Sequence, residues 1–206
     1  VGGRASVTAV AGIDAMVQAI EADARVNANN SPISRALAIE ALGLMGCMLL
    51  RAVQKPDDLE ARTGMLLGSM LAGQAFANSP VAAVHALAYP IGGHYKVPHG
   101  LSNALVLPHV LRFNAQVAPE AYAELLPHVF PDLPSMGMAE AAYQFAQSMA
   151  DLSQACGLEQ GLREMGIARA ALPSLARDAM NQTRLLVNNP RPVDEAAALK
   201  IYEAAW

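Results

Sequence analysis

The sequence predicts an all-α protein, a bundle of several helices, and three observations support this. Apolar residues recur at intervals of three and four along much of the chain, as in Val10, Ile13, Val17 and Ile20. The composition is poor in aromatic residues, at 5%, and only 16% of the residues are charged. No window shows the two-residue alternation of a half-buried strand. We expect a single helical domain over residues 1–206.

Charge and composition limit the partners of the chain. The net charge is -4, and the 14 Lys and Arg residues form no cluster, so the positive patch that a nucleic-acid partner requires is missing. A charged fraction as low as 16% leaves little polar surface. We therefore expect another domain or subunit to cover part of the exterior.

The sequence also favours neither a membrane span nor disulfide bonds. The uncharged run of residues 63–95 is long enough to cross a bilayer and contains a GxxxG motif at Gly64 and Gly68. Polar residues and a proline interrupt this run, so we predict a buried core helix followed by a turn.

Cys47 and Cys156 are predicted as buried, reduced thiols. Because no secretory signal opens the chain, we expect a cytoplasmic location.

Capping residues mark the helices of the N-terminal part. The first helix is predicted to begin near its candidate N-cap Thr8. Ser31 followed by Pro32 is typical of an N-cap and a first helical position, so a second helix should follow the loop that precedes them. The segment 55–58 ends this helix at about Gln54 and caps a third. The glycines repeated in the third helix indicate close approach by another helix or a ligand.

Residues 81–111 are predicted as two helices joined by a glycine-containing loop. The first carries His85 and should end near Pro90, because proline cannot continue the hydrogen-bond ladder. Residues 91–97 are predicted as the loop. Pro98 then begins the second helix, so that His99 lies in its first turn.

The rest of the chain is predicted as shorter helices separated by proline and glycine, at residues 119–126, 138–154, 158–165, 172–180 and 192–206. Asp194 lies near the positive end of the last of these. Three of the five histidines have a structural interpretation: His109 and His128 follow prolines near helix ends, and His94 is a loop residue facing a cleft.

Four residues form a candidate metal site. His85 and His99, on either side of the loop, can direct two imidazole nitrogens at one point. Asp14 and Gln18 lie one turn apart on one helical face and can supply a carboxylate and a further donor. Such a set suits a divalent metal acting as a Lewis acid. On the residues alone, the alternative is that the imidazoles satisfy one another and the backbone while Asp14 and Gln18 are plain surface.

Four motifs carry a resemblance to a known family: GIDAM with AIE at residues 12–21, AFANS with VHALA at 75–88, PHGLSNA with LP at 98–108, and RLLVNNPR at 184–191. On them the chain resembles the C-terminal domain of the iron-containing (group III) alcohol dehydrogenases over essentially its full length. The resemblance implies an all-α, multi-helix bundle like the C-terminal domains of dehydroquinate-synthase-like and iron-containing alcohol dehydrogenases. It also implies an N-terminal dinucleotide-binding domain, which we expect to be missing from this chain.

The resemblance implies a site of Fe²⁺ or Zn²⁺ held by an Asp, a His four residues later and two further histidines. Asp14, His85 and His99 match three of these positions, and Gln18 stands where the family has histidine. An amide oxygen is the weaker ligand, so we expect metal binding to be weak or absent. Tyr89 replaces another family histidine and Phe76 aligns with the wall of the substrate cleft, and we assign both to substrate binding.

The sequence thus predicts the metal- and substrate-binding half of an NAD(P)-dependent alcohol dehydrogenase. It would interconvert a small-molecule alcohol with an aldehyde or ketone by hydride transfer, together with a nucleotide-binding half, and we expect a homodimer. Cofactor-binding residues are not assigned. Two alternatives remain open: a degenerate, non-catalytic helical domain, and a metal-independent reductase of the maleylacetate reductase type.

Overall fold

The computed structural model describes residues 2–24 and 31–206, and within them it contains helices and no strand. The α-helices are α1 Ala5–Ala24, α2 Pro32–Gln54, α3 Leu59–Asn78, α4 Ala83–Tyr95, α5 His99–Ala115, α6 Pro119–Val129, α7 Met138–Ala155, α8 Leu172–Ala179, α9 Thr183–Leu186 and α10 Glu195–Ala204. Two short 3₁₀ helices lie at Leu162–Met165 and Arg169–Ala171. The all-α prediction is confirmed. Residues 27–30 of the loop predicted before the second helix lie outside the described residues.

The first three helices all pack against one another. The Oγ1 of Thr8, near the start of α1, accepts a hydrogen bond from Arg62, near the start of α3, at 3.4 Å. At the other end, Ser79 donates to the Ala22 carbonyl at 2.7 Å. These two contacts show that α1 and α3 run parallel, and α2 packs against both in the opposite direction.

Close helix contact, which the repeated glycines predicted, occurs at two of the three glycines in α3. A Cβ at Gly64 would lie 2.8 Å from Met48 Cγ, and one at Gly68 would lie 2.6 Å from Met45 Cγ. Nothing lies within 4 Å of a Cβ at Gly73. The first two glycines therefore let α2 approach α3, and the third does not contribute to this contact.

The core is one continuous cluster of buried side chains that joins both halves of the chain. α5 lies in its middle, with α1 and α4 against it on the N-terminal side and α7 against it on the other. Tyr202 of α10 closes the far side and donates from its hydroxyl to the Leu87 carbonyl of α4 at 2.6 Å. This packing brings the start of α5, the middle of α1 and the start of α4 to one place.

The predicted loop at 91–97 is wrong, because α4 continues through Pro90 to Tyr95. Pro90 and its neighbour Ile91 are buried in the bundle, and this burial compensates for the hydrogen bond that proline removes. α4 ends at Lys96, which has a left-handed φ of 58°. In the same way α5 runs through Pro108 to Ala115, beyond the predicted end at residue 111.

Several helix ends also differ from the prediction. Ser31 caps α2 as expected, but Thr8 lies inside α1 rather than before it. Only residues Leu162–Met165 of the predicted helix at 158–165 are helical, and they form a 3₁₀ turn. The last helix is shorter than predicted at both ends, and Asp194 caps it by accepting from Ala197 N at 2.7 Å. The short helix α9 was not predicted.

The two cysteines are both free but differ in environment. Cys156 is buried as predicted, and burial raises the pKa of its thiol to about 11. Cys47 is exposed, so the prediction that it is buried is wrong. It lies on the outer face of α2, away from the residues of that helix that enter the core.

The uncharged run of residues 63–95 is divided between α3 and α4, with a break between Asn78 and Ala83. Within the described residues, α1 and α2 are long and apolar enough to cross a membrane, judged by length and composition only. In the bundle, 56% of the apolar window of α1 and 39% of that of α2 are buried. The core helices of a folded bundle meet the same length and composition criterion.

Two glycines inside helices should respond in opposite ways to alanine. A Cβ at Gly46 would lie 2.6 Å from the backbone oxygen of Val129, so Gly46→Ala should lower the free energy of unfolding by about 1–3 kcal/mol. The matched variant Gly73→Ala meets no neighbour and should raise it by about 0.5–1 kcal/mol. Urea denaturation of both variants measures the difference. Equal stability of the two variants would contradict the helix contact.

Candidate metal centre

Three helices bring together Asp14, His85 and His99, one from each of α1, α4 and α5. One ligand atom from each residue lies within 4.8 Å of the other two. Asp14 Oδ1 is 3.9 Å from His85 Nε2 and 3.5 Å from His99 Nε2. Ligands that bind one zinc or iron ion at about 2.0–2.2 Å are roughly 3–4 Å apart. The predicted convergence of these three residues is therefore found in the structure.

A glycine contact holds the start of α5 against α1. A Cβ at Gly100 would lie 2.4 Å from the Val10 carbonyl oxygen and 3.0 Å from Asp14 Cβ. Only a residue without a side chain can follow His99 at this distance. This contact places His99 opposite Asp14.

The carboxylate of Glu21 fixes the orientation of His85. Glu21 is 5% exposed, its Oε2 lies 2.6 Å from His85 Nδ1, and its Oε1 accepts from Val84 N at 2.6 Å. A carboxylate oxygen accepts, so Nδ1 carries the hydrogen and the Nε2 lone pair faces Asp14. Carboxylate–histidine pairs of this kind orient metal ligands in proteins.

Glu21 belongs to one of the family motifs, but no role was predicted for it from the sequence. A signal was present, because Glu21 lies seven residues after Asp14 and so on the same face of α1, two turns later.

Asn103 is a second residue that the sequence analysis missed. It is fully buried one turn after His99, and its Nδ2 lies 2.6 Å from Asp14 Oδ1. The same nitrogen is 3.3 Å from the Nε2 atoms of both His85 and His99. Its Oδ1 is buried and has no hydrogen-bond partner among the described residues. The spacing of four residues from His99, the same as between Asp14 and Gln18, could have identified it.

Gln18 lies at the edge of the cluster. Its Nε2 donates to Asp14 Oδ2 at 3.3 Å, the carboxylate oxygen other than the one that approaches the imidazoles. The amide oxygen of Gln18 has no described contact with either histidine. Its assignment as a metal ligand stays a prediction.

Of the two residues assigned to substrate binding, Tyr89 adjoins the cluster. Tyr89 is 43% exposed, and its ring stacks on His99 with centroids 5.7 Å apart and planes inclined by 27°. Tyr89 therefore forms one side of the opening above the ligands. Phe76 lies in the last turn of α3 and is 39% exposed, and the described contacts do not join it to the cluster. The role of both residues stays a prediction.

The other three histidines lie apart from the cluster. His94 is in the last turn of α4 rather than in a loop, and its Nε2 is 2.7 Å from Asp178 Oδ2 of α8. His109 is inside α5 rather than near its end, and burial, with a smaller effect of Arg112, lowers its pKa to about 4. His128 is in the last turn of α6.

The residues present fit a divalent metal ion. Two imidazole nitrogens and one carboxylate oxygen are the donors that zinc and iron accept in proteins. One imidazole, that of His85, is already oriented by Glu21. The orphaned Oδ1 of Asn103 further shows that the polar groups here do not satisfy one another completely.

Comparisons with known proteins agree with this fold. A family model described as "Fe-containing alcohol dehydrogenase family, C-terminal" matches residues 8–206. Long-chain-alcohol dehydrogenase 1 of Geobacillus thermodenitrificans (strain NG80-2) is 41% identical over 200 residues, 97% of this chain and 50% of that protein. 1,3-Propanediol dehydrogenase of Citrobacter freundii is 36% identical over 205 residues, 100% of this chain and 52% of that protein.

A solved structure of a 1,3-propanediol oxidoreductase is similar along the whole chain. Its TM-score is 0.94 at 33% sequence identity, and the similarity covers 100% of this chain and 53% of the other. The chain spans about half the length of the curated relatives that it matches.

The orienting role of Glu21 predicts a loss of metal affinity on its replacement. In Glu21→Gln the side chain can no longer accept from both Val84 N and His85 Nδ1, so Zn²⁺ affinity should fall by about 10- to 100-fold. Calorimetric titration of the purified chain measures this. Glu40→Gln, at an exposed glutamate of α2, is the matched control and should bind as the unaltered chain does. Undiminished Zn²⁺ binding by Glu21→Gln would refute the orienting role.

Proposed function

This chain belongs to the Fe-containing alcohol dehydrogenase family, as its C-terminal domain, and on that premise we propose that it is the metal- and substrate-binding half of an NAD(P)-dependent alcohol dehydrogenase. It would interconvert a small-molecule alcohol with the corresponding aldehyde or ketone by hydride transfer. The observation that carries the proposal is the convergence of Asp14, His85 and His99 within 4.8 Å. The metal would be Fe²⁺ or Zn²⁺.

The relatives support the reaction class. The two curated relatives named above are dehydrogenases of a long-chain alcohol and of 1,3-propanediol. These substrates are stated for the relatives and are not assigned to this chain. For this chain we propose only the reaction class, which is the oxidation of an alcohol or the reverse reduction.

Each residue of the centre has a part in this chemistry. Asp14, His85 and His99 would hold the ion, and Glu21 keeps the Nε2 of His85 directed towards it. Once bound, the ion would supply Lewis-acid polarisation of the substrate oxygen. Tyr89, stacked on His99 at the opening, would contact the substrate, and Phe76 would form a more distant part of the wall.

An exposed apolar surface supports a contact between this chain and a nucleotide-binding half. Large apolar side chains are exposed on one side of α1 and α3, among them Val7 at 62%, Leu59 at 64% and Leu66 at 74%. Val7 lies on the same face of α1 as Asp14, two turns earlier. We place the contact with the nucleotide-binding half on this side. A surface this apolar is usually covered by a partner.

The proposal also includes a homodimer and a cytoplasmic location, which rest on the sequence argument alone.

Gln18 favours the two alternative functions, a metal-independent reductase and a non-catalytic domain, because an amide stands near the ligands where the family has an imidazole. A weakened centre would suit either a metal-independent reductase or a non-catalytic domain. The following experiment separates the three functions.

We expect activity when the chain is joined to a nucleotide-binding half. A fusion to the remaining half of the Citrobacter freundii 1,3-propanediol dehydrogenase should oxidise NADH or NADPH in the presence of aldehydes. A chelator should abolish this activity and Fe²⁺ or Zn²⁺ should restore it. Asp14→Asn should lower kcat by about 100-fold or more, since several kcal/mol of transition-state stabilisation depend on the ion.

Activity that persists in chelator would instead support the metal-independent reductase. A folded fusion without activity, with or without metal, would support the non-catalytic domain. The fusion carrying the unaltered Citrobacter freundii C-terminal half is the positive control.

The position of Tyr89 predicts an effect on substrate binding. Removing its ring in Tyr89→Ala should raise KM for the aldehyde by about 10-fold, with kcat changed less, because an aromatic contact contributes about 0.5–1.5 kcal/mol beyond its buried area. Steady-state kinetics of the fusion measure both constants. Tyr143→Ala is the matched control, because Tyr143 of α7 is also 43% exposed. An unchanged KM in Tyr89→Ala would exclude the contact.

A further inference from the structure

We propose that Asn103 supplies the fourth protein ligand of the metal centre, in the place for which the sequence suggested Gln18. The inference rests on the proposed function only in requiring that the centre binds a divalent metal. It assigns a role to a residue that is not among the Asp and three His ligands implied by the family resemblance.

The positions of the two amides distinguish Asn103 from Gln18. The Asn103 amide nitrogen approaches all three ligand atoms, at 2.6 Å from Asp14 Oδ1 and 3.3 Å from each imidazole Nε2. Gln18 approaches only Asp14 Oδ2, at 3.3 Å. Asn103 is fully buried, whereas Gln18 is half-buried. The amide group at the centre of the cluster is therefore that of Asn103.

When the hydrogen of His99 is on Nδ1, the cluster has more acceptor atoms than donated hydrogens. Glu21 places the hydrogen of His85 on Nδ1, so His85 Nε2 is an acceptor. Asp14 Oδ1 is a second acceptor, and His99 Nε2 is directed at the same nitrogen. In this tautomer of His99 the amide offers two hydrogens to three acceptor atoms, whereas in the other tautomer His99 Nε2 carries a hydrogen towards Asp14 Oδ1, 3.5 Å away. A single cation can interact with all three lone pairs at once.

The oxygen of the Asn103 amide is also relevant to metal binding. Asn103 Oδ1 is buried without a partner among the described residues, and a buried unpaired acceptor costs about 1–3 kcal/mol. Rotation of the amide about the Cβ–Cγ bond exchanges its nitrogen and its oxygen. The N–H groups cannot stay beside a bound cation, so this rotation turns the oxygen towards the three ligand atoms.

The resulting donor set is two oxygens and two nitrogens. Carboxylate and carbonyl oxygens favour harder divalent ions, whereas imidazole favours iron, zinc and copper. The start of α5 is held against α1 at Gly100, and Asn103 follows one turn later. The amide is thus positioned by the same helix that carries His99.

A Co²⁺ titration followed by visible absorption tests this on the 206-residue chain, because the spectrum of Co²⁺ reports its ligands independently of enzymatic activity. Asn103→Leu keeps the side-chain size but removes the amide, and should weaken Co²⁺ binding by about 10- to 100-fold and change the spectrum. Gln18→Leu should change the affinity less than about 3-fold and leave the spectrum unaltered. Asn103→Asp, which keeps an oxygen donor, should bind at least as tightly as the unaltered chain.

The outcomes separate this inference from the function on which it rests. If Asn103→Leu retains the affinity and spectrum while Gln18→Leu loses them, Gln18 is the ligand and the inference is wrong. If Asn103→Leu does not fold, by circular dichroism, then weaker Co²⁺ binding in Asn103→Asp overturns the inference and tighter binding supports it. If the unaltered chain binds no Co²⁺, the proposed metal function fails as well.

Discussion

The contact between Gly100 and α1 is the constraint on which the site depends. Because no Cβ fits between residue 100 and the Val10 carbonyl, α5 starts directly on the backbone of α1. His99 and Asn103 are carried to Asp14 by this contact, and His85 reaches the same point from α4. The ligands thus come from three helices whose relative positions are fixed by a packed core rather than by loops.

Glu21, His85 and Asn103 are buried beside an apolar core. Asp14 is half-buried, the His99 side chain is 46% exposed, and these polar groups contact one another. Glu21 satisfies both His85 and the amide of Val84, and Asn103 connects the carboxylate to both imidazoles. A buried polar network is stabilising only when its members are paired. Asn103 Oδ1 has no partner among the described residues, and it belongs to the amide whose hydrogen bonds a bound ion would change.

The sequence was sufficient for the fold class and for the caps of α2 and α3, because these follow from periodicity and from capping residues. The convergence of Asp14, His85 and His99 was predicted from their motifs together with the family resemblance. It was not sufficient for α4 and α5, where Pro90 and Pro108 are inside helices, because burial by distant parts of the chain outweighs a local preference. Glu21 and Asn103 were missed for a related reason. Their spacing from Asp14 and His99 places them on the same helical faces, but no local pattern specifies which faces of the three helices meet.

The contrast between the two cysteines has a practical consequence. Thiolates, not thiols, react with alkylating reagents, and the Cys156 thiol is buried with a raised pKa. Cys47 is exposed on the outer face of α2. A maleimide fluorophore added at neutral pH would therefore attach at Cys47, which gives the native chain a single labelling position outside the core.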